Sequence, residues 1–159
     1  MNNLSPHLPA EKYKELMDIS PICTVDVLFF NSDKTKTLLF KRKNQPIRDQ
    51  YFSIGGRLLK NERLMDGAVR QSLREACVVV DIEKLTLGGT QDEINPNSMF
   101  DGINYHAVNT FYGYVLGSEE IKLDSQHSEY RWFPVTYDSF HPFIKTKIAS
   151  LLKAYGKEL

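Results

Sequence analysis

The sequence predicts an α+β fold: a mixed β-sheet sandwiched between helices in an α/β/α arrangement. Two observations carry this reading. Strand-like segments rich in β-branched and aromatic residues fall before, between and after two main amphipathic helices. One short strand also runs straight into Gly55-Gly56 and from there into a helix.

In chain order, residues 9–18 (PAEKYKELMD) place proline at a first-turn position and glutamate early, which predicts a short helix ended by Ser20-Pro21. Residues 22–30 (ICTVDVLFF) predict a strand interrupted only by Asp26. Asn31-Ser32-Asp33 is a turn, and Thr37–Arg42 is a second strand expected to run antiparallel to the first. After the polar loop 43–50, Tyr51–Ile54 is a short strand. Leu64, Met65, Ala68, Val69, Ser72 and Ala76 then recur at helical spacing over residues 62–77. Strands are expected at Val78–Val80, Lys84–Glu93, Ile103–Leu116 and Glu129–Val135. Residues 95–102 form a turn-rich connection, and residues 117–128 a longer polar loop of functional length. Tyr137–Tyr155 is an amphipathic closing helix.

At 159 residues the chain suits one domain, 1–159, large enough to bury a core without staples. Twenty basic residues balance 20 acidic ones, which speaks against a nucleic-acid polymer as partner. Within residues 41–75, however, nine basic residues face four acidic ones, a local basic cradle of the size one diphosphate needs. Hydrophobic content of 42% excludes disorder. No apolar run has membrane-spanning length, and the first residues, MNNLSPHLPAEKYKE, lack the apolar core of a signal peptide. Cys23 and Cys77 are expected to be buried, reduced thiols, and the expected location is cytoplasmic.

The stretch GGRLLKNERLMDGAVRQSLREACV carries the chemistry. Gly56 is followed by five residues and Glu62, then by seven residues and Arg70, with Glu75 five further on. A diglycine leaves backbone carbonyls free to approach a cation, and the helix after it projects acidic side chains toward the same spot. The plainer alternative is an amphipathic helix whose Glu62, Arg70 and Glu75 form surface ion pairs of little consequence.

This spacing, over residues 55–78, resembles a modified Nudix box. The departures are Gln71, Ser72, Arg74 and Cys77, at positions where the full box has glutamate, an aliphatic residue, glutamate and glycine. Two of three acidic metal ligands are therefore missing. Within that superfamily the chain is most similar to the GDP-mannose mannosyl hydrolases, over roughly residues 20–135. The similar segments are PICTVDVLFFN, LLFKRKNQP, GGRLLKNE and QHSEYRWFPV.

The resemblance implies a Mg²⁺ site, with Mn²⁺ as an alternative ion, held by the Gly55 carbonyl, Glu75 and Gln126. It implies His127 as general base and Arg70 and Arg57 as catalytic arginines. Arg42, Arg57 and Asp26 would bind substrate. The family's active-site tyrosine falls at His106, with Tyr105 beside it. The implied reaction displaces GDP from the anomeric carbon of a GDP-hexose, such as GDP-mannose or GDP-glucose. The implied partners are a small nucleotide sugar and a second copy of the chain, with residues 1–20 as a dimer-forming segment.

Plainer readings stand beside these. Asp26 could be an edge-strand charge, Arg42 a solvated strand end, Trp132 a core residue, and His141 structural. Two other functions are also open: a Nudix diphosphatase cutting P–O bonds of a nucleotide sugar or nucleoside triphosphate, and a nucleotide-sugar-binding protein without turnover.

Overall fold

The computed structural model describes residues 8–159, so residues 1–7 of the expected N-terminal dimer segment lie outside the described part. At its centre is β1 (Ile22–Phe30), buried along almost its whole length, as a β-branched and aromatic run becomes when helices cover both sheet faces. It pairs antiparallel with β2 (Lys36–Arg42), as expected, and with β4 (Ile54–Arg57). It pairs parallel with β6 (Tyr105–Val115), which makes the sheet mixed. β5 (Thr86–Asn95) pairs with β6, while β3 (Tyr51–Phe52) and β7 (His127–Pro134) pair with β2. The main strand order is β3-β2-β1-β6-β5.

Alternation along β1 divides the core. Val25, Val27 and Phe29 face α2 (Leu64–Ala76), where they pack with Ala68, Ala76, Tyr112 and Tyr114. Leu28 and Phe30 face α3 (Pro142–Ala154), where they join Phe111, Ile144, Ile148 and Leu151. Helix α1 (Ala10–Ile19) shares that second face and closes its far end by packing Met17 on Ile22 and Ala107. Together the three helices complete the α/β/α sandwich. None of the described helices is long and apolar enough to cross a membrane.

Several local expectations are corrected. Val78–Val80 is not a strand. Cys77 caps α2 in the left-handed region (φ 55), the Val78 N–H returns to the Ser72 carbonyl, and Val78 and Val80 enter the core from irregular backbone. The segment after them opens with a single 3-10 turn, Ile82–Lys84, before β5. The helix of the motif starts at Leu64 rather than residue 62, and the closing helix at Pro142, where His141 Nδ1 caps the Phe143 N–H at 3.1 Å. Both cysteines are exposed, not buried: Cys77 is turned outward by its cap conformation, and Cys23 lies near the start of β1. Trp132 is 38% exposed on β7, a strand paired only with β2, so it is not a core residue. Asp26 is in the central strand, which removes the edge-charge reading.

Candidate active site

The expected strand Tyr51–Ile54 is two strands. β3 pairs with β2, β4 pairs with β1, and the chain changes partner at Ser53, whose hydroxyl donates to Asp26 Oδ2 at 2.6 Å. This shift sets Gly55 directly opposite Asp26. A Cβ at Gly55 would overlap Asp26 Oδ1 and the Val25 carbonyl, and one at Gly56 would stand 2.6 Å from the end of the Gln71 amide. The diglycine is therefore required by close approach on both faces of β4, and not only by a turn.

Helix α2 lies against this strand. Arg70 grips Glu62 through two parallel bonds, Nε–Oε1 at 2.6 Å and Nη2–Oε2 at 2.9 Å, and also donates to the Arg57 carbonyl at 3.1 Å. Glu62 accepts the Leu59 N–H as well. Burial alone would raise the Glu62 carboxyl, but Arg70, the Leu59 N–H and the charge of Arg57 outweigh it and hold it below its ordinary value. Arg70 is thus a clamp on the loop between β4 and α2, and its guanidinium is taken up there. The surface-pair reading does not hold for this half-buried pair.

One turn along the helix face, Glu75 is 2% exposed and accepts the Gly55 N–H at 3.1 Å. Burial pushes its carboxyl up to about 8; the Gly55 N–H opposes this, the charges of Asp124 and Asp26 add to it, and Arg42 opposes it. Hydrogen-bonding surroundings fix the Gln71 amide with nitrogen 3.3 Å from Glu75 Oε1 and oxygen 3.3 Å from Arg70 Nη1. A neutral donor therefore occupies the place of a second carboxylate.

The long loop before β7 returns to this helix. Lys122 N–H donates to the Ala76 carbonyl, and the Gln126 carbonyl accepts from Lys43 N–H. His127 opens β7 opposite Arg42, 2% exposed, with its ring edge-on to Phe40 at 5.6 Å. Its Nδ1 lies 2.7 Å from Asp124 Oδ1, and its buried Nε2 has no hydrogen-bond partner among the described residues. Burial would raise the Asp124 carboxyl, but His127, the Gln126 N–H and Arg74 more than offset this and hold it low. An ionised carboxylate can only accept, so Nδ1 carries a hydrogen, and in the neutral imidazole Nε2 is then the nitrogen with the lone pair. Sequence reasoning missed Asp124, although the Asp-x-x-His spacing was its available signal.

On the α1/α3 face of the sheet, Asp26 sits in a polar row between the two apolar clusters. Asn109 donates to Asp26 Oδ1 at 2.9 Å and to Thr24, and Lys147 donates to Asp26 Oδ2 at 2.8 Å. Of the two candidates for the tyrosine, Tyr105 shares this face, and His106 projects to the opposite face beside Asp92, 4.0 Å away. Burial, then the charges of Glu93 and Asp26 and the Tyr13 phenol, push the Tyr105 phenol well above its ordinary range, with Arg42 opposing, so it remains a hydrogen-bond donor. Tyr13 of α1 stacks under Arg57, 5.9 Å from ring centre to guanidinium carbon. Arg42 Nε donates to the Pro46 carbonyl at 2.9 Å. Gly55, Glu75, Asp26 and Arg57 thus meet at β4, with Asp26, Arg57 and Tyr105 on the α1/α3 face and Glu75 on the α2 face. The His127 pair stands at the start of β7 against the end of β2, Arg70 holds the scaffold, and His106 projects to the face opposite Tyr105.

A divalent cation fits this arrangement in one respect and is limited in another. Glu75 is a buried carboxyl with no basic side chain bonded to it, the kind of group a cation would relieve. No cluster of three or more His, Cys, Asp or Glu side chains occurs among the described residues, so a cation beside Glu75 would take its other ligands from backbone, amide, phosphate or water oxygens.

A sheet between helices, with a glycine strand and a helix-borne carboxylate beside it, is the arrangement on which the family match falls. Residues 22–143 match the NUDIX domain, and the chain belongs to the Nudix hydrolase family. The low-salt glycan biosynthesis protein Agl8 of Haloferax volcanii is 28% identical over 145 residues, 91% of this chain and 90% of that protein. The MutT NUDIX hydrolase of Burkholderia pseudomallei superposes with a TM-score of 0.66 at 17% identity, over 81% of this chain and 96% of that one. The NUDIX domain of Shewanella oneidensis NrtR, complexed with ADP ribose, gives 0.56 at 20% identity, over 80% and 84%. A MutT/nudix family protein of Enterococcus faecalis gives 0.59 at 20% identity over 80% of this chain, which spans only 57% of that longer protein. The solved structures share the fold.

Proposed function

We propose that the protein hydrolyses a GDP-hexose, GDP-mannose or GDP-glucose, to GDP and free sugar by attack of water at the anomeric carbon. The observation that carries this reading is the Asp124–His127 pair with its free Nε2, together with a helix that sets only one carboxylate, Glu75, against the glycine strand. One carboxylate is a poor basis for gathering several metals around phosphorus, whereas an oriented imidazole suits the activation of water against carbon. The glycan-biosynthesis name of the Haloferax relative supports a nucleotide-sugar substrate.

In this mechanism His127 Nε2 takes a proton from water as its oxygen bonds to C1. The C1–O bond to the β-phosphate breaks with inversion, and its electron pair leaves on GDP. The imidazolium so formed is stabilised by ionised Asp124. Arg57 and Arg42 offset the charge on the diphosphate, Arg70 keeps the glycine loop in place, and Tyr105 is assigned to the sugar, with Asp26, already held by Ser53, Asn109 and Lys147, buried on the same face. Glu75, the Gly55 carbonyl and Gln126 would hold Mg²⁺ or Mn²⁺, which when bound neutralises charge on the departing diphosphate.

Turnover of GDP-mannose with Mg²⁺ in oxygen-18 water tests the assignment. Label on the sugar C1 hydroxyl with unlabelled GDP is expected. Mannose 1-phosphate and GMP, or label on phosphate, would instead make the protein a diphosphatase. Binding without turnover would make it a sensor.

A further inference from the structure

Helix α3 buries an apolar stripe, Ile144, Ile148, Leu151 and Leu152, and within that stripe one charged residue, Lys147, whose side chain is 0% exposed. Its ammonium lies 2.8 Å from Asp26 Oδ2, 2.7 Å from Glu93 Oε1 and 3.3 Å from Ser53 Oγ, so each of its three hydrogens has an acceptor. Gln91 adds a second bond to Glu93 at 2.9 Å and donates to the Phe143 carbonyl of α3. Taking an ammonium out of water costs several kcal/mol, and well-packed apolar side chains often do as well for stability. Joining α3 to the sheet therefore does not by itself require a lysine. What the charge does accomplish is local. Ser53 is where the chain passes from β3 to β4, and Asp26 is the residue that Gly55 lies against.

We propose that Lys147 is a positioning residue for the metal and diphosphate cradle: from α3 it fixes Ser53 and Asp26, and through them the backbone of Gly55 that meets Glu75. This inference rests on the cation site read above. Glu93 balances the ammonium's charge, and Asp26 and Ser53 transmit its position.

The test is Mn²⁺ binding to the full chain, followed by electron paramagnetic resonance, with thermal unfolding as a control for folding. Lys147→Met alone leaves two buried carboxylates uncompensated and can fail to fold. The double variant Lys147→Met/Glu93→Gln keeps the group's formal charge and removes only the anchor. A folded double variant is expected to bind Mn²⁺ about 10- to 100-fold more weakly than wild type, the usual effect of losing a support behind a metal ligand. Glu93→Gln alone, with the bond from Lys147 to Asp26 kept, is expected to stay within about twofold of wild type, far from that loss. Wild-type affinity in the folded double variant overturns the inference and leaves the cation site standing. An equal loss in Glu93→Gln overturns it by assigning the anchor to Glu93. If the wild type itself binds no Mn²⁺, the cation site fails and the inference with it.

Discussion

Asp124 Oδ1 and His127 Nδ1 stand 2.7 Å apart across three residues of one loop, and this contact decides which imidazole nitrogen is free. Asp124→Asn keeps the side chain's shape and removes the charge that selects the tautomer. Under the proposed mechanism its kcat falls by roughly 10²- to 10⁴-fold, as expected when a positioned base is lost, with GDP affinity unchanged. His127→Gln should behave the same way in steady-state kinetics. A kcat within twofold of wild type in His127→Gln would remove His127 from the role of base, and the same result in Asp124→Asn would remove the Asp124 charge from the mechanism.

The buried acid on α2 gives a pH signature to metal-free protein. Glu75 has an ordinary value near 4.5 when unfolded and about 8 when folded. A raised folded value means that its contribution to stability is fully present below about 4.5 and is lost as pH rises toward 8. Its share of the unfolding free energy should fall steadily with pH within that window, on the order of 1 kcal/mol per pH unit, and then level off. Chemical denaturation of chelator-treated protein at successive pH values, compared with Glu75→Gln, isolates this contribution. The variant should lack this slope, and Mg²⁺ should stabilise only the wild type.

The two glycines of β4 should respond unequally to alanine. At Gly55 the new methyl group meets Asp26, which Ser53, Asn109 and Lys147 hold in place, and a backbone carbonyl. At Gly56 it meets only the end of the Gln71 amide. Gly55→Ala is expected to cost about 1 to 3 kcal/mol in urea unfolding, as overpacking does, and Gly56→Ala clearly less. Equal losses would show that the polar group around Asp26 yields.

Arg70→Lys separates a scaffold role from a merely charged one. Lysine keeps the charge and loses the two-pronged grip on Glu62 and the bond to the Arg57 carbonyl. Stability should drop by roughly 1.5 to 3 kcal/mol, the scale of hydrogen bonds to charged groups. The loss should be largest near neutral pH and shrink in acid, because the lowered Glu62 carboxyl contributes above its unfolded value and loses that contribution as pH falls.

How much of this was legible in the sequence depended on distance along the chain. Strand β1 could be read from its own β-branched and aromatic residues, and α2 from its own periodicity and the glycines ahead of it. Gly56, Glu62, Arg70 and Glu75 could be placed because their spacing is local. Val78–Val80 misled because a short apolar run looks the same whether its backbone joins a ladder or only drops side chains into a core. Lys147 was invisible: a lysine in a C-terminal helix reads as solvent-facing. Only the closing of the sheet under α3 brings it against Asp26, 121 residues away. The choice between Tyr105 and His106 likewise waited on the register of β6, since neighbours on a strand face opposite ways.

The connection that carries Asp124 is tied to α2 by the backbone bond from Lys122 to Ala76 and to the segment after β2 by the bond from Lys43 to Gln126, and neither depends on side-chain identity there. The two halves of the candidate site are therefore separable in inheritance. A lineage could rewrite Asp124 and His127, and with them the atom that is attacked, while Gly55 and Glu75 passed on unaltered. In such a scaffold the reaction is a property of the connection, and the family resemblance a property of what it connects.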